Sequence, residues 1–153
     1  MENREGGPAA PVLALVAVLI VGALPFTLFN ETRPLIGERS VLLVPRTSQY
    51  FSARPILERP YIEAMNAARR CDTIGLVTAG DGWEYPLWAL AGRASTVEHV
   101  AVTNASADFA PPIRVAPCAI VITAADPRSS VEWDGRPYDR AYASPVLSLF
   151  IAR

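Results

Sequence analysis

Thr73-Ile74-Gly75-Leu76-Val77-Thr78 is a short, charge-free run of the type that forms a strand buried on both faces. Its surroundings decide the fold class. Ala79-Gly80-Asp81-Gly82 is a loop, and residues 84–91 read as a short helix stopped by Gly92. Residues 97–102 and 118–123 then read as two further strands, the second of them (Cys118-Ala119-Ile120-Val121-Ile122-Thr123) as apolar as the first. Upstream, Pro60 opens a helix to about Arg70. Tyr61, Ile62, Met65 and Ala68 share its apolar face, and Arg69 and Arg70 sit where the helix dipole favours cations. Downstream, residues 131–133 and 136–142 flank Asp134-Gly135, a two-residue hairpin signal, and residues 146–151 form a last strand. Helices alternating with apolar strands predict a small three-layer α/β domain with a mixed, mainly parallel sheet and a C-terminal β-hairpin. Residues 40–44, ending at Pro45, read as one more strand, and residues 46–60 and 104–117 as connections.

The other organising feature lies at the N-terminus. Residues 12–29 carry no charge, and at about 1.5 Å per residue a helix of that length nearly matches the ~30 Å hydrocarbon thickness. Pro11 suits a first helical turn and Pro25 marks a kink or an early exit. The division expected is a short polar segment (1–10), a transmembrane helix (11–29), a tether (30–39) and an α/β domain (40–153). Two readings compete for the apolar run. A cleaved signal peptide needs a basic leader, whereas Glu2, Arg4 and Glu5 are mixed in sign. A buried core helix is the other. Arginine flanks are too even to orient a span.

Composition excludes several chemistries. The chain has 153 residues, a net charge of −1, and 14 basic residues that are all Arg. Without a lysine there is no P-loop lysine and no Schiff base. One histidine, His99, and two cysteines leave no basis for a His/Cys zinc site, and no metal or cofactor is expected. The near-neutral balance offers no basic field, so no nucleic-acid partner is expected. All-Arg usage points to a GC-rich coding genome and hence to a bacterium.

Four groups of residues are candidates for function. Asp81, Gly82, Trp83, Glu84 and Trp88 lie at a strand-to-helix junction, the edge where ligands of open α/β sheets bind. The carboxylates suit sugar hydroxyls and an indole suits a sugar face. The plainer reading is a tight turn whose aromatics cap the core, because the full G-x-G-x-x-G pattern is missing. Cys71 and Cys118 precede and begin two core strands. If those strands are parallel neighbours, a disulfide is open to them once their Cα atoms come within ~7 Å; buried free thiols are the alternative. Arg46, Arg54 and Arg59, with Tyr50, are candidates for a membrane-proximal lipid-phosphate contact, against the plainer reading of a solvated surface. His99 stands beside Glu98 in a strand, where neighbours point to opposite faces, so the two do not readily form a dyad and His99 reads as a structural or surface residue. Asn30-Glu31-Thr32 and Asn104-Ala105-Ser106 match the glycosylation triplet, which chance also supplies.

Several strings taken together carry a resemblance. They are the apolar helix followed by Asn30-Glu31-Thr32-Arg33-Pro34-Leu35, then Arg46-Thr47-Ser48-Gln49-Tyr50-Phe51, Tyr61-Ile62-Glu63-Ala64, Trp83-Glu84-Tyr85-Pro86-Leu87-Trp88 and Pro117-Cys118-Ala119-Ile120-Val121. From about Pro11 onward the chain resembles the C-terminal end of bacterial GT-C-type polytopic glycosyltransferases, similar to protein mannosyltransferases and arabinosyltransferase-like enzymes. In that family a multi-helix membrane domain uses a polyprenyl-phosphate sugar, and its acidic catalytic residues lie in an early exoplasmic loop that has no counterpart here. The resemblance therefore implies a terminal piece or accessory subunit that is not catalytic alone. It would sit single-pass in the inner membrane with a periplasmic domain for acceptor recognition or scaffolding. Membrane lipid, the other helices of a glycosyltransferase and a glycan are the partners implied. An independent membrane-anchored module for a glycan or lipid head group is the alternative. A soluble nucleotide-sugar enzyme using the Gly80–Gly82 loop is a third reading.

Overall fold

The computed structural model describes residues 9–78, 82–93, 95–102 and 115–153, which fall into two compact units, residues 1–53 and 54–153. The first unit is dominated by helix α1, Ala9–Leu28, 20 residues without a charge. Every side chain from Ala10 to Thr27 is exposed among the described residues. Residues 10–28 are long and apolar enough to cross a membrane. Pro25 is accommodated inside the helix, where Phe29 N–H still donates to its carbonyl at 2.9 Å.

Residues 40–44 are not the strand that their apolar run suggests. The backbone groups are taken up locally: Leu43 and Val44 N–H both donate to Ser40 O, and Ser40 N–H donates to Gly37 O. The Gln49 side-chain amide donates to Val41 O at 2.9 Å and Val44 O at 2.8 Å, removing the acceptors that a neighbouring strand would need. The connection after Pro45 is also partly ordered, since Arg46–Gln49 forms a single helical turn, α2.

The second unit has an α/β fold with a six-stranded mixed sheet. A 3₁₀ turn at Pro55–Leu57 leads into α3, Glu58–Ala67. Then follow β1 (Thr73–Val77), α4 (Tyr85–Ala91), β2 (Thr96–His99), β3 (Ala119–Ile122), β4 (Ser130–Trp133), β5 (Arg136–Ala143) and β6 (Ser148–Ala152). The strand order is β2-β1-β3-β6-β5-β4. Pairings of β1 with β2 and β3 are parallel; those joining β3, β6, β5 and β4 are antiparallel. The β4–β5 hairpin turns at Asp134 (φ 50°) and Gly135 (φ 71°), the paired left-handed conformations that a two-residue turn requires. β6 is the last strand in sequence but lies at the centre, between β3 and β5. Its Ser148 is buried, with its hydroxyl donating to Ala124 O and accepting from Asp126 N–H.

The register sorts the side chains into two faces. His99, Leu76, Val121, Leu149 and Tyr142 are successive cross-strand partners, so they share a face. The helices lie on it: Tyr142 OH donates to Glu63 Oε2 of α3 at 2.9 Å, and His99 meets Glu84 at the start of α4. Tyr61, Ala64 and Met65 of α3 and Pro86 and Leu87 of α4 are the buried contribution of these helices. Gly75, Ile120, Phe150 and Arg140 form the corresponding row on the opposite face. There Val100, Ile120, Tyr138 and Phe150 make a second buried cluster, fringed by Val77, Ile122, Val131, Trp133 and Ala152. The Tyr138 hydroxyl reaches Pro117 O at 2.8 Å, satisfying the one polar atom that this residue takes inside.

Gly75 is required by close approach. A Cβ there would lie 2.7 Å from Val100 Cγ1 and 3.1 Å from Pro117 Cγ. Gly75→Ala is expected to destabilise the domain by about 1–3 kcal/mol through overpacking, read as a lower urea midpoint at unchanged m-value.

Asp126, in the β3–β4 connection, accepts from the Arg128 side chain and, at 3.0 Å, from its backbone N–H. The guanidinium bond holds this carboxyl down at about 2, against an unfolded value of ~3.9. A depressed folded pKa gives stability that is complete above the unfolded value and lost as pH falls through the folded one. Relative to Asp126→Asn, the wild-type advantage in urea midpoint should be complete near neutral pH and vanish as pH falls to about 2.

Candidate functional site

The parallel strands β1, β2 and β3 end together at one edge of the sheet. The chain leaves β1 in one direction to make β2 and returns to the other side to make β3, so β1 and β3 flank the point where the winding reverses. Gly82 sits at that point. A Cβ on it would lie 2.8 Å from Thr123 Oγ1, just past β3, and 3.3 Å from Thr78 Cβ, just past β1. The loop backbone thus passes closer to the strand ends than a residue with a side chain permits. Glu84 N–H donates to Gly82 O at 2.9 Å, and Leu87 N–H to Glu84 O at 2.9 Å, carrying the turn directly into α4. Pro86 in the first helical turn loses no hydrogen bond.

The side chains converge from three elements. Glu84 precedes α4, and His99 is the last residue of β2. His99 Nε2 lies 2.8 Å from Glu84 Oε2, and both side chains are about one-third exposed. The imidazole is therefore oriented by a carboxylate across the sheet edge and not by adjacent Glu98, which falls on the other face. Trp88, one helical turn after Glu84, sets its ring 6.1 Å from His99 at an interplanar angle of 45°. It remains 42% exposed. On the other side of the loop, the Arg54 guanidinium lies over the Trp83 ring at 5.2 Å, so one indole face is taken by a cation.

Of the residues expected from sequence, Gly82, Trp83, Glu84 and Trp88 thus lie along one short edge. Asp81 is outside the described residues, as is the Asn104 triplet. Sequence reasoning missed His99 and Arg54 as members of this group. The alternation β1-α4-β2 was the available signal for His99, because it returns the end of β2 to the edge where α4 begins. Nothing in the sequence announced Arg54 over Trp83.

No family model, curated protein or solved structure matches this chain. What the site can do is therefore argued from its own chemistry. An exposed indole, a carboxylate with one oxygen engaged, and an imidazole form a shallow amphipathic rim, suited to a polyhydroxylated ring presenting a C–H face. Among the described residues, no three His, Cys, Asp or Glu side chains gather to hold a metal ion.

The remaining candidates lie elsewhere. Cys71 and Cys118 are joined as a disulfide with a Cα separation of 5.3 Å, fastening the start of β1 to the start of β3. Ser95 Oγ donates to Cys71 O at 2.6 Å, and Cys118 N–H to Thr73 O, so both cysteines are tied down just before their strands begin. Arg46 Nε donates to Tyr50 OH at 2.9 Å. Arg59 pairs with Glu63 one turn along α3, and together with Tyr142 it holds the Glu63 carboxyl below its ordinary range. Asn30 Oδ1 accepts from Thr32 N–H, Thr32 Oγ1 and Arg33 N–H, closing a turn directly after α1.

Proposed function

We propose that this chain is a single-pass membrane protein whose α/β domain lies on the extracytoplasmic side. There it serves acceptor recognition or scaffolding within a GT-C-type glycosyltransferase that uses a polyprenyl-phosphate sugar, and it carries out no sugar transfer alone. One pairing carries the reading: a charge-free helix of membrane-spanning length on the same chain as a domain closed by a disulfide. Disulfides persist in oxidising compartments, which favours a periplasmic domain over a cytoplasmic one. The uncovered apolar surface of α1 favours a retained anchor over a core helix. The glycosyltransferase assignment rests on the sequence resemblance, and its most specific string, residues 83–88, lies at the sheet edge described above.

Carbonate extraction of native membranes, followed by immunoblotting with an antibody to the domain, tests this reading. Retention in the pellet, with external protease removing the domain from spheroplasts, is expected. Release into the supernatant would fit a cleaved signal sequence and overturn the anchor. A band several times larger than 16.5 kDa would make the chain the tail of a complete enzyme. Sugar transfer from a lipid-phosphate donor by the purified chain alone would overturn the accessory role.

A second reading, an independent glycan-binding module, is favoured specifically by the exposed Trp88 beside the Glu84–His99 pair. Titration with cell-envelope glycans should then change indole emission in the wild type and leave Trp88→Ala unresponsive. Unchanged wild-type emission would remove it.

A further inference from the structure

We infer that residues 29–44, following α1, form an interfacial collar whose leucines insert among the phospholipids of the leaflet where the helix ends. This rests on the anchor reading above and adds a second point of membrane contact.

Leu42 and Leu43 are 78% and 75% exposed, and Ile36 53%. Scattered apolar residues on a surface are ordinary, but these share one short folded segment with Phe29 and Leu35, which are exposed as well. The segment is not an extended tether. Leu35 and Ile36 N–H both donate to Leu28 O, at 3.1 and 3.2 Å, so the chain folds back onto the last turn of α1. Val41 N–H donates to Pro34 O at 2.9 Å, holding the leucine-bearing turn to the same level. A helix of 20 residues is about 30 Å long, the thickness of the hydrocarbon layer. If α1 spans, its last turn lies at the hydrocarbon boundary, and these hydrogen bonds place the collar there.

The polar groups fit that depth. Backbone carbonyls near lipid need partners from the protein, because water is scarce. Here Ser40 Oγ donates to Leu35 O at 2.6 Å and accepts from Leu42 N–H, and the Gln49 amide serves both Val41 O and Val44 O. Arg33, Arg39 and Arg46 supply the cationic groups that phospholipid phosphates attract. A recess is lined by Ala23, Phe26 and Thr27 of α1 and by Asn30, Thr32 and Arg33 beyond it, so apolar groups and one cation face the same space.

The test uses the full chain with its native disulfide intact, in vesicles of phosphatidylcholine and phosphatidylglycerol. Spin labels are placed on Leu42→Cys, Leu43→Cys and Ile36→Cys, with Val16→Cys in α1 and Asp134→Cys at the hairpin tip as controls. Collisional relaxation by oxygen against a water-soluble nickel chelate reads depth. The collar labels are expected about 5–10 Å inside the headgroup boundary, the Val16 label deeper, and the Asp134 label in water. Collar labels as accessible to nickel as Asp134, with Val16 still deep, would overturn the collar while leaving the anchor intact. A water-exposed Val16 label would overturn the anchor and the collar with it. Spin–spin broadening at Leu42 that disappears on mixing with unlabelled chain would show a second copy, not lipid, covering the leucines.

Discussion

Cys118→Ser, in the full chain held in detergent micelles, is expected to lower unfolding stability by about 4 kcal/mol. The cysteines are separated by 47 residues, and closing a loop of that length in the unfolded chain corresponds to about 4 kcal/mol of lost conformational freedom. The native geometry explains why little of this should be returned by relaxation. The bond joins the segments that lead into two adjacent parallel strands, and the hydrogen bonds from Cys118 N–H and to Cys71 O hold both residues in place there. Urea titration monitored by near-ultraviolet circular dichroism should show the midpoint fall. Cys71→Ser should match it, and the double variant should be no worse than either single, because both changes remove one bond. A loss below about 1 kcal/mol would mean that the unfolded chain is already compact between these positions.

Phe150→Ala is expected to cost about 3–5 kcal/mol, the range for emptying an aromatic site in a packed core. Phe150 is fully buried at the centre of the sheet and belongs to the face opposite the helices, with Val100, Ile120 and Tyr138. Its value lies in what it tests. If that face were only a thin apolar skin, truncation would approach the cost of losing exposed area and stay well under this range. Tyr138→Phe isolates the polar part: it leaves Pro117 O without its 2.8 Å donor and should cost about 1–3 kcal/mol with little change in packing.

Those two sites also mark how far the sequence could be read. The apolar runs at β1 and β3, the Asp134-Gly135 turn and the Pro60 helix are local signals, and the elements stand where those signals predicted, within a few residues. An α/β fold with hairpin strands follows from them. The run at residues 40–44 failed for a reason outside the run's own residues: Gln49, a few residues on, takes the carbonyls of Val41 and Val44, and no composition rule shows that. The placement of β6 between β3 and β5 was equally hidden, since strand order depends on which edges meet and not on any strand's own residues. At the candidate site, the contiguous string from Gly82 to Trp88 was visible because a strand-to-helix junction has a local signature. His99 and Arg54 join it from other elements, and only the folded sheet brings them there.

The central position of β6 bears on the order of events during synthesis. Among the described strands the other five leave the ribosome earlier, including both of its neighbours. Until β6 arrives, β3 and β5 each expose an unpaired ladder, the condition that invites strand exchange between nascent chains. The Cys71–Cys118 bond needs only β1 and β3, so oxidation can fasten the parallel half of the sheet first. Sheet closure then becomes the insertion of β6 between two edges already formed, one of them in a half that the disulfide holds.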